Sequence, residues 1–163
     1  MVNINFLAYY VKMEISPKKS DIDRKHLLAI DYGQKFTGLS NYKVNIDPMI
    51  LLFGRVAYES DQQLVDELLH ICEEEFIDIL ILGIPRFTDG KESTMTKTIL
   101  SFGELLKKST SLPVYFIDET LTTFEAEERM KNDPRFNFKV DLTKIDAMSA
   151  TIILEQFVSC AED

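Results

Sequence analysis

Every residue is apolar from Leu27 to Ile30 and from Ile79 to Leu82, and the stretch Val114 to Ile117 (VYFI) keeps the same character. When both alternating faces of a strand are apolar, both faces are covered, which is the habit of a parallel sheet. Two further β-prone runs bring the predicted strands to five, at residues 26–31, 36–42, 49–58, 78–83 and 114–118. Helical spacing fills the gaps between the later ones. Residues 61–76 place Leu64, Leu68 and Ile71 on one stripe, and 93–108 does the same with Ile99, Leu100, Phe102, Leu105 and Leu106. The second of these ends in Lys107 and Lys108, where the helix dipole favours cations. Residues 122–131 open on a capping-box pair, Thr122 and Glu125, and 143–158 is a last, mostly apolar helix.

The first three strands follow one another too closely for helical crossovers, so they form an antiparallel meander. The later strands alternate with helices and add in parallel. The expectation is an α/β domain with a mixed five-stranded sheet and helices on both faces. Residues 1–25 stand apart as a β-prone piece at 3–15 followed by the polar SPKKSDIDRK, and read as an N-terminal extension without fixed order. The domain proper is expected over 26–163.

Composition supports one core of ordinary size: 163 residues, 45% hydrophobic, with no Pro/Gly/Ser-rich linker. The formal net charge of -9 argues against indiscriminate binding to nucleic acid or to an anionic membrane. A nucleic-acid partner therefore needs a local basic patch. Cys72 and Cys160 lie in helical segments without metal-ligand or redox spacing and read as buried thiols in a reducing compartment. No apolar run reaches the roughly 20 residues of a membrane span, and the start lacks a basic signal region, so the expected setting is the cytoplasm.

Candidate chemistry sits at the strand ends. A desolvated carboxylate such as Asp31, closing an apolar run, is costly unless something pairs with it. The first strand ends in Asp31-Tyr32-Gly33, the fourth in Gly83-Ile84-Pro85, the fifth in Asp118-Glu119-Thr120. In open α/β sheets, ligands collect at these carboxyl ends. With the fourth strand in the middle, Asp31 and Glu119 flank a position where Gly83 has no side chain. Two strand spacings are roughly 10 Å, so inward-leaning carboxylates could share cations about 4 Å apart. Asp146, in the first turn of the last helix, is a third acid among apolar neighbours. Three carboxylates without nearby cysteine or histidine make a hard-oxygen site suited to Mg²⁺ or Mn²⁺, the kind that hydrolyses phosphodiesters. Each acid also has a plainer reading: Asp31 as a turn residue, Glu119 and Asp146 as acids at the favourable end of a helix dipole. His26 and His70 read as structural.

Four segments, Asp31-x-Gly33-x-Lys35-x-x-Gly38, LGIPRFTDG at 82–90, DETLTTFEAEERM at 118–130 and KIDAMSATIILEQF at 144–157, together resemble the YqgF (RuvX) family. That family is known both as Holliday junction resolvase-like and as pre-16S rRNA nucleases, and the resemblance spans about residues 26–158. It implies a ribonuclease H-like fold of strand order 3-2-1-4-5 and a metal-dependent nuclease maturing the 5′ end of 16S rRNA in the cytoplasm. Asp31, Glu119 and Asp146 fall on the family's catalytic, metal-binding acids. The implied partners are RNA, above all pre-16S rRNA, with a ribosomal precursor particle and DNA junctions as further classes. Lys35, Arg86, Lys91 and Lys97 are the candidate substrate-binding cations. Where the family usually has Arg after its motif acid, this chain has Thr120, which removes a planar five-donor group suited to phosphate. Arg86, following Pro85, is the candidate replacement.

Two other classes use the same features. A non-catalytic module of this fold would bind RNA or a ribosomal protein through the four cations, its acids vestigial. A sugar-kinase or actin-like ATPase also uses an Asp-x-Gly strand turn, but repeats it in a second domain for which 163 residues leave no room.

Overall fold

A computed structural model describes residues 16–85, 94–119 and 122–163. The β-prone piece at 3–15 and the positions Arg86, Lys91 and Thr120 lie outside the described residues. The strands are β1 (His26–Asp31), β2 (Phe36–Lys43), β3 (Leu51–Ala57), β4 (Ile79–Pro85) and β5 (Val114–Glu119). They form one sheet of order β3-β2-β1-β4-β5, antiparallel from β3 to β1 and parallel from β1 to β5. The helices are α1 (Lys19–Ile22), α2 (Asp61–Glu74), α3 (Thr94–Ser109), α4 (Thr122–Lys131) and α5 (Ile145–Ser159), with a 3-10 turn at Pro134–Phe136. This is the mixed sheet expected from the doubly apolar strands.

Strand alternation divides the core into two layers. Leu28, Ile30, Leu80, Leu82 and Phe116 face α2 and α3, meeting Leu64, Leu68, Phe102 and Leu106. Leu27, Ala29, Ile79 and Ile81 face the other way, against Ile153, Leu154 and Phe157 of α5. On its outer side α5 is covered in turn by α4, through Ala126 and Met130 on Met148 and Ile152. A helix apolar all round has to be enclosed, and α5 is, between sheet and α4.

The expected boundary at residue 26 does not coincide with an edge of the packed core. Ile22 is only 2% exposed and packs in the layer of Leu27, Ala29 and Phe157. Backbone bonds tie this segment down at both ends: Lys19 N to Glu162 O at 2.7 Å, Glu162 N to Pro17 O at 2.9 Å, and Arg24 N to Val44 O at 3.1 Å. Residues 16–25 are thus part of the domain. Cys72 is buried as expected, but Cys160 is exposed, because it lies just past the end of α5.

Three local details differ from the sequence reading. A capping box does form, but on α2, where the Ser60 side chain accepts from Gln63 N and the Gln63 side chain returns to the cap. Thr122 instead donates its hydroxyl to Glu119 Oε2 at 2.7 Å, and Glu125 pairs with Arg129 at 2.7 Å. β3 bends at a bulge, where its register against β2 shifts between Leu39 and Ser40.

Candidate active site

Asp31, Gly83 and Glu119 end the runs that face α5, continuing Leu27–Ala29, Ile79–Ile81 and Tyr115–Ile117 by strand alternation. Across the hairpin, Asp31 stands directly opposite Gly38. A Cβ on Gly38 would lie 1.9 Å from the Asp146 carbonyl oxygen and 2.8 Å from the Asp146 Cβ. The bare backbone at Gly38 therefore lets the first turn of α5 settle on β2 and brings Asp146 beside Asp31. Gly83 does the same on the other side: its Cβ would lie 3.2 Å from the Glu119 carboxyl carbon and 2.4 Å from Ile153 Cδ1. Two glycines, one on each strand flanking β1, make the floor on which three acids from distant parts of the chain assemble.

The acids are tethered differently. Glu119 is nearly buried and accepts the Thr122 hydroxyl. Asp146 is half-buried and turned toward Arg55, whose Nη1 is 3.9 Å from its Oδ2. Asp31 keeps a solvent-accessible edge, yet its carboxylate has no hydrogen-bond or ion-pair partner among the described residues. Its pKa is pushed well above the usual carboxylate range, first by burial, then by the charges of Glu119 and Asp146. Burial also raises Glu119, against the Thr122 hydrogen bond, and raises Asp146, against the Arg55 charge. Asp31, which both other acids repel, carries the mutual repulsion of the set.

Among the described residues, no three His, Cys, Asp or Glu side chains are drawn in to the spacing that holds one metal ion. Thr122 holds Glu119 and Arg55 draws Asp146, while Asp31 has no such tether among the described residues. The donor set itself, all carboxylate oxygen, suits Mg²⁺ or Mn²⁺.

Of the predicted cations, Lys35 is exposed near this edge, with Nζ 6.0 Å from the centre of the Phe36 ring. Lys97 is exposed in the first turn of α3, on the opposite face of the sheet from α5. A cation overlooked in the sequence stands beside one of the acids, Asp146. Arg55 of β3 pairs across the sheet with Gly38, lays its guanidinium 3.7 Å from the centre of the Phe36 ring, and donates from Nη1 to Leu142 O at 3.3 Å. The available signal was a lone arginine in the otherwise apolar strand LLFGRVA.

A family model described as "RuvX: Holliday junction resolvase" matches residues 25–159. The chain belongs to the RuvX family. A curated relative from Nitratidesulfovibrio vulgaris (strain DP4), named "Putative pre-16S rRNA nuclease", is 34% identical over 138 residues, 83% of this chain and 94% of its own. One of the same name from Mesomycoplasma hyopneumoniae (strain 7448) is 34% identical over 82% of this chain and 93% of its own. Two solved resolvases share the RuvX chain's fold. They are T. thermophilus RuvC in complex with Holliday junction substrate (TM-score 0.54, 11% identity, 83% of this chain and 94% of that one) and the fowlpox virus Holliday junction resolvase (0.51, 11%, 82% and 98%). At that identity the likeness concerns architecture alone, which is ribonuclease H-like.

Proposed function

We propose that this RuvX chain is a divalent-metal-dependent nuclease that hydrolyses phosphodiester bonds in precursor 16S rRNA, trimming its 5′ end in the cytoplasm. The observation that carries the proposal is the convergence of Asp31, Glu119 and Asp146 over Gly38 and Gly83, with no partner for the Asp31 carboxylate among the described residues. A turn-capping aspartate would have a local donor. The names of the relatives support RNA as the substrate.

Asp31, Glu119 and Asp146 are the residues that would hold Mg²⁺ or Mn²⁺. Such ions supply an activated water and neutralise the leaving oxygen. The protein's own contribution is placement. Thr122 fixes the Glu119 carboxylate by hydrogen bond, and the close contact at Gly38 fixes Asp146 through the backbone of α5. Arg55, held flat on Phe36, keeps guanidinium donors at the rim of the site and takes the role of phosphate anchor, with Lys35 beside it. Arg86, Lys91 and Lys97 remain candidates for contacts further along the RNA. A precursor particle presents the same strand, and a DNA junction is a second substrate class for the same chemistry.

The test is incubation of the purified protein with a precursor 16S 5′-leader RNA, with and without Mn²⁺ or Mg²⁺, beside an Asp31→Asn control. Metal-dependent cleavage lost in the control is the expected result. If wild type cleaves nothing and millimolar Mn²⁺ does not raise its melting temperature, the nuclease reading is wrong and a non-catalytic RNA- or ribosome-binding module takes its place.

A further inference from the structure

Lys144 and Ala147, which flank Asp146 in the chain, line a cavity of about 420 Å³. Its other walls are Leu52 and Gly54 of β3 and Phe136 of the 3-10 turn. Gly54 sits at the β3 bulge with φ +130°, and a Cβ there would meet nothing within 4 Å, so this wall leaves open space. Phe136 is half-buried against the cluster of Met130, Met148 and Ile152 that joins α4 to α5. Two cations stand by its ring, Arg135 at 5.9 Å and Lys144 at 5.8 Å from its centre. Both also pair with acids, Arg135 with Asp133 at 2.7 Å and Lys144 with Asp141 at 3.8 Å. Net attraction for phosphate is consequently weak there, and selection falls to the aromatic wall. A cavity with an aromatic face among mixed apolar and hydrogen-bonding side chains, here Phe136 with Leu52, Ala147, Thr143 and Lys144, is how proteins take up an unstacked base of single-stranded RNA.

We propose that this cavity is a nucleobase subsite, holding one unpaired base of the RNA strand next to the scissile phosphate by stacking on Phe136. The proposal rests on the nuclease reading for the path of the strand, but the binding it describes requires neither metal nor cleavage. A base within a duplex cannot enter, so the subsite makes the protein prefer a single-stranded segment beside the cut.

The experiment is fluorescence anisotropy at low salt, with chelator present, using a labelled single-stranded oligoribonucleotide and a duplex of the same sequence. Phe136→Leu keeps apolar volume in the α4–α5 cluster and removes the ring; Phe136→Tyr keeps the ring. Leu52→Trp fills the cavity from the exposed β3 wall, away from the chain segment that carries Phe136. Phe136→Leu and Leu52→Trp are each expected to weaken single-strand binding by about fivefold or more, Phe136→Tyr to stay within about twofold, and duplex binding to be weak and unchanged. Single-strand affinity retained in Leu52→Trp, or lost equally for strand and duplex in Phe136→Leu, overturns the proposal. If wild type still cleaves RNA with Mn²⁺ in that event, the subsite falls and the nuclease reading stands. If wild type binds no RNA at all, both fall.

Discussion

Replacing Gly38 by alanine adds one methyl group where β2 and α5 touch. That methyl would start 1.9 Å from the carbonyl oxygen of Asp146 and 2.1 Å from its carbonyl carbon, whereas real Cβ contacts essentially never fall below 3.0 Å. Both obstructing atoms belong to helix backbone, so no rotamer change relieves the clash. The first turn of α5 must lift by about 1 Å, and it lifts away from a layer in which Ile153 is fully buried and Phe157 nearly so. Overpacking of this kind costs about 1–3 kcal/mol, and a backbone obstacle puts Gly38→Ala near the upper end. For a chain of this size that is a fall in melting temperature of about 5–10 °C. The same lift displaces Asp146 from Asp31, and a misplacement of about 1 Å can cost roughly 10²-fold in rate. Gly83→Ala is the informative comparison. Its nearest obstacle is Ile153 Cδ1 at 2.4 Å, the end of a flexible side chain, so its stability cost should be smaller, about 1 kcal/mol. Its methyl still presses on Glu119 from 3.2 Å, and metal-dependent cleavage should fall in both variants. Urea denaturation with chelator present and leader-RNA cleavage with Mn²⁺ measure the two effects separately. An unchanged midpoint for Gly38→Ala, or a larger loss for Gly83→Ala, would refute the idea that bare backbone at these positions seats the acids.

Because burial and two neighbouring acids raise the pKa of Asp31 in the fold, its contribution to metal-free stability is full below the unfolded value of 3.8 and is lost as pH rises through the folded one. Asp31→Asn should remove that decline and stabilise the metal-free protein at neutral pH while abolishing its stabilisation by Mn²⁺; paired denaturation curves in chelator and in Mn²⁺ decide this, and a destabilised mutant counts against it. Arg55→Gln should lower the slope of log affinity against log salt by about 0.7–0.9 if its guanidinium binds one phosphate, and an unchanged slope excludes that role. Ile22→Ala should cost about 2–5 kcal/mol by denaturation, since Ile22 fills a closed layer, and a neutral result would detach residues 16–25 from the core.

The sheet was legible because its central strands are apolar on both faces, a pattern that few other structures produce. β1 occupies the predicted residues, and the other strands differ by no more than two residues at either end. The segment at 16–25 was not legible for the opposite reason. Its link to the core is two buried residues, Pro17 and Ile22, among charged ones, plus backbone bonds that include those to Val44 and Glu162, and neither leaves a periodic trace. The capping-box pattern at Thr122 and Glu125 misled because two local partners outcompete it, Glu119 for the hydroxyl and Arg129 for the carboxylate.

The acids themselves could be read as a candidate set, but what gathers them is written in the spacing of glycines. Gly33 sits in the β1–β2 connection, where a Cβ would lie 2.1 Å from the Phe36 carbonyl oxygen, so the chain turns back tightly. That tight return sets the hairpin register, and the register puts Gly38 opposite Asp31. A connection one residue longer would shift the pairing by one and present a side chain to α5 at this point. Asp146 would then be held off the sheet, more than a hundred residues along the chain from the change. The pattern Asp31-x-Gly33-x-Lys35-x-x-Gly38 is therefore a single geometric device: one position supplies a carboxylate, one makes the turn, and one clears the space that Asp146 occupies.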